Sequence, residues 1–305
     1  MDQRKALPHL PPVLRAMAEE GRLVHSLCLE GEPGSGRTDL ATALAGAILC
    51  QRQQGEMCGE CLHCRKVLAG VHSDITLVNG REDPDRFKVE ALRQLRAEAH
   101  RGPSEGRAKV YILAEAQHLL PPAQNLLLKI LEEPPEATFF ILTCDNKFRL
   151  LPTILSRVVT VSLRPLPLEA CAQLLEERLP GHAPAEYQEA ALLCCGNPGE
   201  GEQILTQPQA AKKGRAAQSL VAAMAAGEPY GILAVATPWE KNRGDYAALL
   251  EQASRLVMLP EMQGQLGLSP AAAASIRRRL ALAEERNRQN GYLPLLTALL
   301  STKKR

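Results

Sequence analysis

Aromatic residues are scarce: Phe, Trp and Tyr together make up 3% of the 305 residues, with a single Trp. A surface that binds single-stranded nucleic acid by stacking bases on aromatic rings is therefore not expected. Net charge is small as well, 36 Lys and Arg against 34 Asp and Glu for a formal +2, so any nucleic-acid contact must be local or shared with partners. No apolar run reaches the ~18 to 20 residues that cross a bilayer, and the nearest, Ser219 to Ala236, is interrupted by Glu228 and Pro229. Met1 to Pro12 carries charges but no apolar core and no small-residue cleavage site, which predicts no signal peptide, no membrane and a cytoplasmic location. What is present, 45% hydrophobic and 23% charged residues, is the balance of a globular chain too long for one ordinary core.

The first half alternates two periodicities. Short apolar runs at Ser26 to Glu30, Ile75 to Val78, Lys109 to Leu113, Thr138 to Thr143 and Val158 to Leu163 read as strands. Helical spacing fills Pro11 to Glu20, Thr38 to Cys50, Lys88 to His100 and Ala123 to Glu133. Strands alternating with helices predict an α/β domain with a parallel sheet. From Pro165 onward the sequence is Ala, Leu, Glu and Arg-rich with helical spacing. Leu168 to Leu179, Ala185 to Cys195 and a helix starting near Gly201 form one group. A break at Thr206 to Pro208 separates them from Ala210 to Ala226, Gly244 to Leu259, Ala271 to Arg288 and Tyr292 to Ser301.

Three motifs carry chemistry. Gly31-Glu-Pro-Gly34-Ser-Gly36-Arg37-Thr38 lies between the first strand and its helix and matches a phosphate-binding loop except at Arg37, where lysine belongs. Arginine keeps the charge, but its planar fork is bulkier than an ammonium, so ATP binding is expected to be weak or absent. The third strand runs into Ala114-Glu115, where a nucleotidase carries a carboxylate for Mg²⁺ and one beside it for water. Ala114 has no oxygen to offer, and Glu115 is read as either a water-polarising group or a plain strand-end carboxylate. Finally, four of the nine cysteines, Cys50, Cys58, Cys61 and Cys64, supply soft ligands at a spacing that predicts one structural, fully closed Zn²⁺ site. His63, inside that motif, is read as a solvent-facing loop residue, and the other five cysteines as buried thiols.

The runs Asn125-Leu-Leu-Leu-Lys-Ile-Leu-Glu-Glu-Pro-Pro135, Ile141-Leu-Thr143 and Leu150-Leu-Pro-Thr-Ile-Leu-Ser-Arg157 give the chain a wider context. With His25, the cysteine insertion and the His72-Ser-Asp74 turn, they make residues ~10 to 165 resemble the AAA+ subunits of the bacterial DNA polymerase III clamp loader. The resemblance implies a RecA-like AAA+ domain over residues 1–163 with a zinc module at about 50–70, a three-helix lid over 164–208, and an all-α collar over 209–305. Within the family the chain resembles the delta-prime branch, which lacks working nucleotide chemistry. Arg37 and Ala114 depart from the motor pattern, Gly199 stands where the motors carry a sensor arginine, and a long tail of the tau kind is not expected.

Ser156-Arg157-Val158 resembles the family's Ser-Arg-Cys motif, which implies that Arg157, beside Ser156, acts in trans on a neighbour's γ-phosphate. The implied partners are a gamma/tau-like motor and a delta-like subunit, with the sliding clamp and primed DNA reached through the complex. The alternative is a gamma/tau-like ATPase in which Gly31, Gly34, Gly36, Arg37, Thr38 and Glu115 still bind and hydrolyse ATP. The basic run Arg277-Arg278-Arg279 with Arg286 and Arg288 is read as a solvated or interface face.

Overall fold

The computed structural model describes residues 10–239 and 242–289. The helix expected at Tyr292 to Ser301 and the basic residues Lys303 to Arg305 lie outside the described residues. By internal contacts the chain divides into two units, Met1–Arg164 and Pro165–Arg305.

The first unit runs α1 (Pro12–Glu19), β1 (Ser26–Glu30), α2 (Arg37–Leu49), α3 (Leu62–Leu68), β2 (Ile75–Asn79), α4 (Val89–Ala99), β3 (Lys109–Ala114), α5 (Pro121–Glu132), β4 (Thr138–Cys144), α6 (Pro152–Leu155) and β5 (Val159–Ser162). All pairings are parallel, in the order β2-β3-β4-β1-β5, with Leu27 level with Ile141 on one side and Val159 on the other. Period-two alternation sorts the strand residues onto two faces. Leu27, Leu29, Val110, Ile112 and Ile141 join Leu14, Leu40, Leu44 and Ile48 in one core. Cys28, Tyr111, Leu113, Phe140 and Leu142 join Leu92, Leu95, Leu127 and Ile130 in the other. Because helices cover both faces, the central strands read as continuous apolar runs. The C-terminal ends of β1, β3 and β4 release the loops that build the site, the usual place for ligands in an open parallel sheet.

The second unit is helical. In it α7 (Leu168–Arg178), α8 (Pro184–Leu193) and α9 (Pro198–Thr206) enclose a small core of Cys171, Leu175, Tyr187, Ala190, Ala191 and Cys194. A larger core of Leu220, Val221, Tyr246, Leu249, Leu256, Ile276 and Leu280 is shared by α10 (Pro208–Ala226), α11 (Pro229–Ala236), α12 (Arg243–Leu256), α13 (Pro260–Leu266) and α14 (Pro270–Gln289). Side chains cross the joint at Gln207: buried Gln252 donates to the Leu193 carbonyl at 2.8 Å, and Arg255 pairs with Glu200 at 2.9 Å.

Two helices here were not expected, α11 and α13. Their prolines, which suggest breaks in a sequence, sit at the first helical position, where the missing N–H costs nothing. For the same reason α9 starts at Pro198 instead of near Gly201, with the Asn197 side chain accepting from the Glu200 N–H at 3.3 Å. No helix among the described residues is long and apolar enough to cross a membrane.

Candidate functional site

The loop between β1 and α2 has the backbone of a phosphate cradle. Gly34 and Gly36 adopt left-handed φ values of 83° and 77°, which only glycine takes without strain, and Gly36 caps α2. The Gly31 N–H donates to the Cys144 carbonyl at 3.0 Å and ties the loop to β4.

Arg37 then turns inward. Its side chain is 4% exposed, Nη1 donates to the Gly31 carbonyl at 2.5 Å, and Nη2 forms an ion pair with Glu115. The other Glu115 carboxylate oxygen accepts from Gln117 Nε2 at 2.5 Å. Glu115 itself has a left-handed φ of 58°, held by its N–H on the buried Thr143 hydroxyl at 3.1 Å. A non-glycine residue in that region is strained, and such strain gathers at functional positions. The guanidinium thus binds the loop that phosphates would occupy, and the carboxylate that would polarise water is held by two side chains. Glu115 directly follows β3, and its side chain is 17% exposed and paired, so its carboxylate is not a freely solvated surface group. Ala114 is fully buried at the end of β3. Thr38, the candidate Mg²⁺ ligand, is the second residue of α2, and its carbonyl accepts from the Thr42 hydroxyl.

Arg157 sits elsewhere, in the turn between α6 and β5. Its side chain is 32% exposed. Nε and Nη2 both reach Glu132, the last residue of α5. Nη1 donates to the Thr153 carbonyl at 2.9 Å and the Ser156 hydroxyl at 3.1 Å. The structure therefore places Arg37 with Glu115 at one site, and Arg157 with Ser156 at another.

The sulfur atoms of Cys50, Cys58, Cys61 and Cys64 all lie within 4.8 Å of one another. Four thiols converging so closely fit a single soft metal ion. Metal–sulfur bonds of about 2.3 Å in a tetrahedron put the sulfurs ~3.8 Å apart, and Cys58 and Cys64 are 3.8 Å apart. The Cys61 and Cys64 amides donate to the sulfurs of Cys58 and Cys61, each at 3.4 Å. Such amide donors favour thiolate, and that from Cys61 does most to hold the Cys58 thiol down at about 6. Burial pushes Cys64 up.

Next to the thiols, His63 is not a solvent-facing loop residue. It lies on α3 with its Nδ1 2.9 Å from His72 Nε2. His72 Nδ1 accepts the Asp74 N–H at 3.1 Å, and the Asp74 carboxylate in turn accepts the amides of Ser104, Glu105 and Gly106 at 2.6 to 2.9 Å. Burial pushes the Asp74 carboxyl up, but these amide donors and nearby His72 outweigh it and hold the group below its ordinary value. Glu105 is lowered to about 2 by Lys66 and then Ser73. The cysteine segment is thereby tied to the loop that leads into β3.

The family described as "DNA polymerase III, delta subunit" matches residues 7–167, and curated proteins named DNA polymerase III subunit delta' match as well. The chain belongs to the delta-prime family of DNA polymerase III. It is 43% identical over 138 residues to the delta-prime subunit of Yersinia pestis, covering 45% of this chain and 41% of that one. It is 31% identical over 222 residues to that of Escherichia coli, covering 72% and 66%. The tau subunit of E. coli is 31% identical over 281 residues, covering 85% and 43%. The chain thus spans about half the length of the curated relatives it matches. In this chain a five-stranded parallel sheet covered by helices carries the P-loop, and a helical second unit follows.

Glu132, Gln117 and the His63–His72 contact escaped sequence reasoning. For Glu132 a signal exists: two carboxylates, Glu132 and Glu133, close α5 just before Pro134-Pro135. The helix dipole disfavours an acid there unless a cation answers it.

Proposed function

We propose that this chain is a delta-prime-like subunit of a bacterial DNA polymerase III clamp loader, working in the cytoplasm. It hydrolyses no ATP itself and lends Arg157 to the ATP site of a neighbouring gamma/tau-type motor. A guanidinium set against the transferring γ-phosphoryl group stabilises charge that develops in the transition state, at no cost in chemistry to the donor subunit. Beside the motor, a delta-like subunit is the other expected neighbour, and the complex would act on a sliding clamp at primed DNA.

One observation carries the reading: Arg37 is folded into its own P-loop and paired with Glu115. A nucleotide would have to displace a buried cation from both a carbonyl and a carboxylate, and Ala114 offers Mg²⁺ nothing in return. Titrating the isolated chain with ATP and following phosphate release tests this. No saturable hydrolysis is expected, whereas hydrolysis that disappears in Glu115→Gln would establish the opposing reading, a gamma/tau-like ATPase. That second reading draws on the similarity to tau, which extends over most of the chain.

The four cysteines would hold a structural zinc ion, whose filled thiolate shell supplies a cross-link and no open position for water. About one zinc per chain is expected in protein purified without chelator. Cys61→Ser should lose the metal and the local fold of residues 50–70 while leaving the sheet intact. Loss of all helix and sheet signal would contradict a local role.

A further inference from the structure

Glu132 ends α5 where the helix dipole repels a carboxylate, and its carboxylate meets Arg157 from a position 25 residues away in sequence. A guanidinium carries five N–H donors. In this chain Nε–H and one Nη2–H face Glu132, and Nη1 serves the Thr153 carbonyl and the Ser156 hydroxyl. That leaves one Nη2 proton uncommitted, on a side chain 32% exposed. A two-pronged grip on a phosphate is therefore not available while these contacts hold, and the carboxylate cancels much of the positive field the arginine would project.

From this geometry we infer that Glu132 is a positioning residue that holds Arg157 in reserve, and that a neighbour's phosphate must displace it before the arginine can act. The inference rests on the proposed role of Arg157 in trans and adds its regulation. Glu132 is 42% exposed, so the pair is weak enough for a multiply charged phosphate to replace. The contacts of Nη1 keep the side chain anchored while the exchange happens. Glu132 thus sets the threshold for the arginine to engage, and assembly alone does not commit it. Binding of clamp and primed DNA would shift the balance by pressing the neighbour's nucleotide closer.

The test is ATP turnover of the reconstituted complex, with and without clamp and primed DNA, for wild type, Glu132→Gln, Arg157→Ala and the double variant. Glutamine keeps an acceptor but removes the charge. Glu132→Gln should raise basal turnover about two- to fivefold, the scale of an exposed ion pair, and narrow the ratio of stimulated to basal rate. The double variant should behave as Arg157→Ala. If Arg157→Ala lowers turnover while Glu132→Gln leaves basal turnover unchanged or lowers it, the holding role is wrong and the arginine role stands. If Arg157→Ala changes nothing, the role in trans falls and the holding role with it. On the isolated full chain, the Arg157 Nε proton should exchange with water more slowly in wild type than in Glu132→Gln. Equal rates would remove the ion pair from solution and overturn the inference.

Discussion

Arg37 and Arg157 are the same residue type, each paired with a glutamate, yet they sit in opposite environments. Arg37 is 4% exposed and its partner 17%, whereas the Arg157 pair is 32% and 42% exposed. Burial decides what each pair does. A buried ion pair cannot be broken cheaply, because the partner left behind is stranded away from water. An exposed one contributes little and is free to exchange. On the proposed reading the first arginine would plug the chain's own P-loop, and the second is held where another molecule can reach it.

Removing the plug gives the largest expected effect on stability. Arg37→Ala strands Glu115 and should cost about 3 kcal/mol, a Tm decrease of roughly 6 to 12 °C by calorimetry. A loss under ~1 kcal/mol would place Arg37 with the exposed arginines. Glu115→Gln keeps acceptors for Arg37 and should cost less, about 1 to 2 kcal/mol.

Acid should loosen a third region, the latch formed by Asp74 and Glu105. Both carboxyls are lowered by folding, Glu105 to about 2. Their stabilisation is therefore complete above the ordinary carboxyl range and lost as pH falls through the folded values. Amide exchange at residues 104–106 should accelerate as pH drops from about 4.5 toward 2, after correction for intrinsic exchange, and a flat profile would contradict the latch. Arg157→Ala should change the stability of the isolated chain by less than ~1 kcal/mol. Thr38→Ala, smallest of all, should leave clamp loading nearly untouched, since no nucleotide is expected to call on that hydroxyl.

Much of this arrangement is legible in the residues alone. The parallel sheet follows from apolar runs bounded by turns, the P-loop from its glycines, and the thiol cluster from Cys-x2-Cys-x2-Cys with Cys50. What sequence left open was the direction in which Arg37 points, because Glu115 lies 78 positions away and only the β1-β4-β3 pairing brings the two together. The partial burial of His63 is not legible in its own motif because its partner, His72, lies nine residues further on, past the end of α3. Pro229 and Pro260 hid two helices by looking like breakers while serving as first residues.

ATP turnover by the complex reconstituted with wild type, Arg157→Ala and Arg157→Lys, in the presence of clamp and primed DNA, tests the central claim most directly. Arg157→Ala should assemble normally, retain its metal and lower the motor's turnover by on the order of 10²-fold, less than the ~10³ to 10⁵ an arginine finger contributes in GTPases. Lysine, lacking the planar fork, should restore little of it. Equal turnover in all three complexes would make Arg157 an ordinary surface residue and this chain a passive scaffold.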